Sequence, residues 1–266
     1  MAVAEQEVSK ISGAERLQRL IESARALGLL QGGREYKSGC RALFDSIDFR
    51  GKNVLEIGCG KGLMCLWAKI HGADHVVGLE PVADGFRDSP KCFKDFATMA
   101  SDLGLENTEM VPLKLEDYRP KIRFDIVLSL ASINHLDEQS CIELQRSKTA
   151  YNRYVKTFQQ VRDFMTEDGT LLIADATNRS FFSDLHVRNP FNPHIEWFKH
   201  QSPQCWAQLL SECGFGHPRI SWFSQPSLTF LGIGTVPRAM SYFFSSAFRL
   251  QMQCASTLLK TSVRPS

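Results

Sequence analysis

None of the eight cysteines stands in a Cys-x-x-Cys pair, so neither a zinc cluster nor a disulfide framework is expected. Reduced thiols in a cytoplasmic setting are the simpler reading. No apolar run reaches the length of a membrane-spanning helix. The first ten residues, MAVAEQEVSK, carry early acids and no apolar stretch, and so do not read as a signal peptide. Charge of one sign is also missing. The formal net charge is +2, which gives no global bias toward nucleic acid or an anionic membrane. There is no internal repeat and no low-complexity tract. What the chain does have is 266 residues, 43% of them hydrophobic and 23% charged, enough to bury a sizeable core.

Leu17, Leu20, Ile21 and Ala24 recur at helical spacing, which predicts a helix over 5–30 closed by Gly32-Gly33, and a second helix follows over 36–47. Then short apolar runs alternate with helical stretches. The runs are Asn53–Ile57, His75–Leu79, Glu109–Leu113, Phe124–Leu130 and Thr170–Ala174. Runs this apolar suit strands covered on both faces, as in a parallel sheet flanked by helices. The intervening helices fall at about 62–71, 89–103 and 138–166, the last breaking near Ser147. Residues 177–203 read as an irregular insertion, and Trp206–Cys213 as a helix closed by Gly214. Strands over 218–224 and 227–233 form a terminal antiparallel hairpin, and a helix is expected over 237–258. That helix would place Met240, Phe243, Phe244, Ala247 and Phe248 on one apolar face, a core, dimer or peripheral membrane contact. No linker separates two domains. The expected organisation is an N-terminal helical extension over 1–48, a main domain over 49–235 carrying the insertion, and a C-terminal helix and tail over 236–266.

The stretch VLEIGCGKG, Val54 to Gly62, puts a strand, a glycine-rich turn and a helix in succession. Gly58 and Gly60 let the backbone turn sharply and come close to a ligand. The helix start near Gly62 offers free N–H groups. The spacing is E-x-G-x-G-x-G, not the G-x-G-x-x-G of dinucleotide sites. Glu56 repels a pyrophosphate but can pair with an amino group. That points to a nucleoside bearing an amino acid. Glu80, in VVGLEP, is placed to accept from ribose hydroxyls, and Glu116 or Asp117, in LEDY, from an adenine amino group.

With these residues the chain resembles the class I S-adenosylmethionine (SAM)-dependent methyltransferases. The matching residues are VLEIGCGKG, VVGLEP, LEDY, FDIVLSL and DGTLLIADA, in that order, and the resemblance covers about 50–235. It implies an α/β, Rossmann-like, doubly wound seven-stranded sheet ending in an antiparallel hairpin. It also implies SAM as the methyl donor. Glu56, Gly58, Cys59 and Gly60 would hold the methionine part, Glu80 with Pro81 the ribose, and Glu116 or Asp117 the adenine edge. Leu130 would lie beside the sulfonium. The chain is most similar to the small-molecule branch that includes quinone-precursor methyltransferases. It lacks an Asn-Pro-Pro-Tyr type of motif after the fourth strand, where Ser-Leu-Ala-Ser-Ile-Asn stands instead.

The expected reaction is methyl transfer to an oxygen or nitrogen of a small molecule, with no nucleic acid partner. The alternatives are a protein or RNA methyltransferase, a nicotinamide-dependent oxidoreductase, and a fold that binds SAM without turnover. His135 follows the fourth strand and is a candidate base, or else a locally bonded loop histidine. Asn134 orients a substrate or caps the next helix. Asp175, Thr177 and Asn178 line the cleft or shape a turn. In NPHIEWFKHQSPQCW, Glu196 or His200 would meet a polar substrate group under a lid, or the segment is a packed insertion with Ser202 as a helix cap. The His194, Glu196 and His200 spacing suits no standard zinc motif, and no metal is expected.

Overall fold

The computed structural model describes residues 11–82, 89–190, 193, 195–223 and 235–255. They divide into two compact units, one running to Tyr118 and taking in Thr235, the other from Arg119 to Phe223 and from Val236 onward.

The first unit opens with helices α1 (Gly13–Ala26) and α2 (Gly33–Phe44). Ser12 caps α1 by accepting from the Glu15 N–H, and the buried face is Leu17, Leu20, Ile21 and Ala24, the stripe expected. The helix is shorter than expected at its C-terminal end. It closes at Ala26, where Gly28 takes a left-handed φ of 69°. Gly32-Gly33 instead begins α2, with Gly32 as its cap. Strands β1 (Asn53–Ile57), β2 (His75–Leu79) and β3 (Thr108–Val111) run parallel in the order β3-β2-β1. Helices α3 (Leu63–Ile70) and α4 (Ser89–Asp102) join them. The crossover arrangement follows from strands buried on both faces, which a chain can pair in parallel only through intervening helices. The Tyr36 hydroxyl donates to the Leu63 carbonyl at 2.7 Å and ties α2 to the start of α3.

In the second unit, β4 (Phe124–Leu130) pairs parallel with β5 (Met165–Ala176). Between them lie α5 (Glu138–Glu143) and α6 (Lys148–Phe164), divided at Ser147, whose hydroxyl caps α6. Ala150, Tyr154, Phe158, Val161 and Phe164 form the buried stripe of α6. The insertion after β5 contains α7 (Phe181–Asp184) and a single 3₁₀ turn, Trp197–Lys199. Helix α8 (Pro203–Glu212) follows, capped by Ser202 as one reading anticipated, and then β6 (Phe215–Phe223). Two-residue strand β7 (Thr235–Val236) leads into α9 (Arg238–Phe244) and β8 (Ala247–Cys254).

The expected helix over 237–258 is not formed. It stops at Phe244, and the chain re-enters the sheet as β8, antiparallel to both β5 and β6. The reason lies in the pattern. Phe248, Leu250, Met252 and Cys254 alternate with Arg249, Gln251 and Gln253, a period of two that outweighs the helical spacing of the aromatics before it. Phe248 is therefore a buried strand residue, while Met240, Phe243 and Phe244 stay exposed on α9. The antiparallel partner of β6 is thus β8; the expected hairpin strand over 227–233 lies outside the described residues. Among the described residues the chain has eight strands, and no helix is long and apolar enough to cross a membrane.

Candidate active site

In the first unit the glycine turn sits directly after β1. Gly58, Gly60 and Gly62 have φ of 70°, 54° and 70°, a region strained for any side-chain-bearing residue. The end of β2 holds the turn in place. The Gly58 and Cys59 N–H groups both donate to the Leu79 carbonyl at 2.9 Å, and the Gly60 N–H donates to Glu80 Oε2 at 2.8 Å. Glu80 is only 7% exposed, so its carboxylate is fixed at the rim of the turn. Pro81 follows it, half-buried.

Glu56 lies beneath, 2% exposed at the C-terminal part of β1. Its Oε2 accepts from the Cys65 thiol at 2.9 Å. Burial pushes its carboxyl up to about 8, and the nearby Glu80 charge adds to the rise. Cys59 is buried beside the same cluster. At Gly78, on β2, an added Cβ would stand 2.6 Å from Cys59 Sγ and 2.9 Å from Cys65 Sγ. Cys65 was not singled out by sequence, because its meeting with Glu56 depends on how α3 packs on β1. The 3₁₀ turn Leu115–Asp117 points Leu115 inward and leaves Glu116 and Asp117 exposed.

Two acids at one glycine turn make a poor cradle for a pyrophosphate. They suit a ligand that brings positive charge and hydroxyl donors. The residues present therefore fit SAM, which carries an ammonium, a sulfonium and a ribose.

The second unit brings together a different set. Leu130, half-buried, ends β4, and Ala131 follows at φ 52° with its N–H on the Ala174 carbonyl at 2.7 Å. The chain then enters the 3₁₀ turn Ile133–His135. Asn134 is buried and its Oδ1 has no hydrogen-bond partner among the described residues. It is not the helix cap, because Asp137 accepts from the Ser140 N–H in that role.

His135 points outward. Its side chain is 62% exposed, with Nδ1 3.6 Å from Glu138 Oε2. Glu138 in turn meets Lys199 Nζ at 3.0 Å, and Lys199 meets Glu196 at 2.8 Å. His135 and Glu196 thus stand at the two ends of a chain of contacts that runs through Glu138 and Lys199. The two carboxylates hold the Lys199 ammonium above its usual range.

His200 turns elsewhere. Its Nδ1 lies 3.2 Å from Asp175 Oδ1, with the imidazole 13% and the carboxylate 4% exposed. Asp175 stands near the end of β5, where its Oδ1 also accepts from the Ala176 N–H at 2.7 Å. The sequence left Asp175 open between cleft and turn; an acid at the carboxyl end of an apolar strand was the available signal. Thr177 is fully buried and accepts from the Arg179 N–H at 3.3 Å, a turn-forming bond. His194 is outside the described residues. Among those described, no cluster of His, Cys, Asp and Glu is arranged to hold a metal ion.

Comparison with known proteins bears on this geometry. The family model described as Methyltransferase domain matches residues 30–228. Ribosomal protein L11 methyltransferase of Marinobacter nauticus is 33% identical over 90 residues, 34% of this chain and 28% of that protein. tRNA U34 carboxymethyltransferase of Alteromonas mediterranea is 27% identical over 126 residues, 47% of this chain and 32% of that protein. The chain therefore spans about a third of the length of these curated relatives. A SAM-dependent methyltransferase structure from Mesorhizobium loti superposes with a TM-score of 0.53 at 16% identity, covering 84% of this chain and 98% of that one. At that identity the likeness speaks for the fold. With the match over 30–228, three quarters of its length, the chain belongs to the Methyltransferase domain family.

Proposed function

We propose that the protein methylates an oxygen or nitrogen of a small molecule, with SAM as donor. The observation that carries this reading is the Asp175–His200 pair, an acid and a base almost withdrawn from solvent. A proton acceptor so placed serves a compact substrate group brought to it. The chain as a whole also lacks the basic excess that a nucleic-acid partner calls for.

On this reading Glu56 and the Gly58–Gly60 turn hold the methionine part of SAM, Glu80 with Pro81 its ribose, and Glu116 or Asp117 the adenine edge. When bound, SAM supplies a methyl group activated by a positive sulfur. The protein's own contribution is alignment and exclusion of water. His200 takes the proton from the acceptor hydroxyl or amine, and the Asp175 carboxylate 3.2 Å away favours the imidazolium that forms. His135 and Glu196, at the ends of the contacts through Glu138 and Lys199, are assigned to contact with the acceptor rather than to proton transfer.

The second reading is a macromolecular acceptor, favoured by the partial likeness to tRNA and ribosomal-protein enzymes. Radiolabelled SAM separates the two. Label is expected in a small-molecule fraction of a metabolite extract. Label entering only tRNA or ribosomal protein, offered separately, would replace the first reading with the second.

A further inference from the structure

A cleft of about 570 Å³ opens in the second unit, lined by residues of the α5–α6 junction and the first turns of α8. That size suits a molecule of metabolite dimensions rather than a lone ion. Its lining mixes polar and apolar side chains, and the charge it carries is of one sign. Arg146 and Lys148 contribute two cations, and no carboxylate lines the cleft. Neither cation has an ion pair or hydrogen bond to its side chain among the described residues. The adjoining acids are already engaged: Glu212 accepts from the Tyr151 hydroxyl at 2.8 Å, and Glu143 accepts from the Gln139 amide.

The remaining donors are amides. Gln204 and Gln208 stand one turn apart on the exposed side of α8, and both line the cleft. Gln145 is fixed differently. Its Nε2 donates to Gln201 Oε1 at 2.7 Å, and Gln201 Nε2 donates to the Cys141 carbonyl at 2.7 Å. This relay, exposed at Gln145 and buried at Gln201, braces one wall of the cleft. The two serines are spent as helix caps, Ser147 on the Ala150 N–H and Ser202 on the Cys205 N–H. The cleft is thus a concave surface with a braced wall, two unpaired cations and two uncommitted amides, all facing a space with no competing carboxylate.

We propose that this cleft binds the oxyanion end, phosphate or carboxylate, of a small molecule. Arg146 supplies a planar fork for two oxygens, Lys148 a point charge, and the two glutamines neutral donors. None of these residues belongs to the SAM-binding set or to the Asp175–His200 pair.

The test uses the full chain, ¹⁵N-labelled, titrated at low salt with inorganic phosphate and, separately, with citrate. Saturable amide shifts are expected that centre on Lys148, Thr149, Gln204 and Gln208. Arg146→Gln with Lys148→Gln should weaken the preferred anion about tenfold or more. Gln204→Ala with Gln208→Ala should weaken it by a smaller factor and leave the cations in place. SAM binding, read by calorimetry, should match wild type in all variants, which separates failure here from failure of the methyltransferase assignment. Which anion saturates first distinguishes a phosphorylated ligand from a carboxylated one. The proposal is overturned if neither anion gives saturable shifts, if the shifts persist unchanged in the double variant, or if only an RNA oligonucleotide binds these residues.

Discussion

His200 Nδ1 stands 3.2 Å from Asp175 Oδ1, and the same oxygen accepts from the Ala176 N–H at 2.7 Å. The carboxylate is therefore anchored to the end of β5 before it meets the imidazole. The contact is one of distance and charge: Nδ1 makes no hydrogen bond among the described residues, so the acid stands beside the ring without selecting its tautomer. With an acceptor in hand, His200→Ala should lower kcat about 10²-fold. Asp175→Asn should lower kcat with the KM for SAM unchanged, and Asp175→Glu should recover part of the loss. Full turnover by His200→Ala would assign the pair to local structure. A fall in SAM affinity alone would remove it from proton transfer.

Glu80 gives a second expectation. Its carboxylate accepts from the Gly60 N–H at 2.8 Å, and on the proposed reading it also accepts from the ribose. Glu80→Ala should cost about 2–3 kcal/mol of SAM affinity, because charge-assisted hydrogen bonds are lost on both sides. Glu80→Gln keeps one acceptor for the Gly60 N–H, so it should retain the thermal stability of the ligand-free protein while still losing affinity. Calorimetry with a parallel melting curve reads both. Equal affinity in wild type and Glu80→Ala would move the ribose contact to another residue.

On the proposed reading, Glu56 makes SAM binding sensitive to pH. Burial raises its carboxyl from the ordinary range to about 8, so it is protonated in the ligand-free protein at neutral pH. The sign for stability follows: a raised carboxyl contributes most below its unfolded value and loses that contribution as pH rises through about 8. Binding runs the other way. A ligand ammonium beside Glu56 favours the ionised form, so binding should expel a proton. SAM affinity should therefore rise with pH up to about 8. Calorimetry in buffers of different ionisation enthalpy should find proton release at pH 7, and Glu56→Gln should abolish it. Release that survives in Glu56→Gln would place the proton elsewhere.

Much of this architecture is legible along the chain. The bounds of β1, β2 and β4 agree residue for residue with the apolar runs, because each is a short buried strand closed by a turn. The break at Ser147 is readable for a similar local reason, a serine with its hydroxyl free to cap. Strand β8 was hidden by the aromatics of α9, whose helical spacing masks the onset of alternation after Ser246. The site divides the same way. Glu56, the glycines and Glu80 are marked by spacing, since one turn and one strand end place them. The bond from Cys65 to Glu56 and the meeting of Asp175 with His200 arise from packing between separate elements, and no local pattern announces either. In sequence His135 after the fourth strand and His200 in the insertion are both candidates to meet the acceptor, and only the fold turns one outward to Glu138 and the other inward to Asp175.

Gly78 tests how tightly the turn is built from below. It lies in the middle of β2, where backbone conformation alone does not call for glycine. The constraint is space: a Cβ there would stand 2.6 Å from Cys59 Sγ, 2.9 Å from Cys65 Sγ and 3.0 Å from Cys59 Cβ. The two thiols are buried, one inside the glycine turn and the other holding Glu56, so neither can yield without moving the site. Gly78→Ala should destabilise the protein by about 1–3 kcal/mol, the range for one extra methyl in a packed core. SAM affinity should fall with it, because the displaced thiols carry the turn and Glu56 along. Adding Cys59→Ala removes the nearest sulfur and should restore part of both losses, a coupling that a double-mutant cycle reads directly. If Gly78→Ala melts and binds as wild type does, the thiols have room to retreat, and the glycine serves no packing purpose at that position.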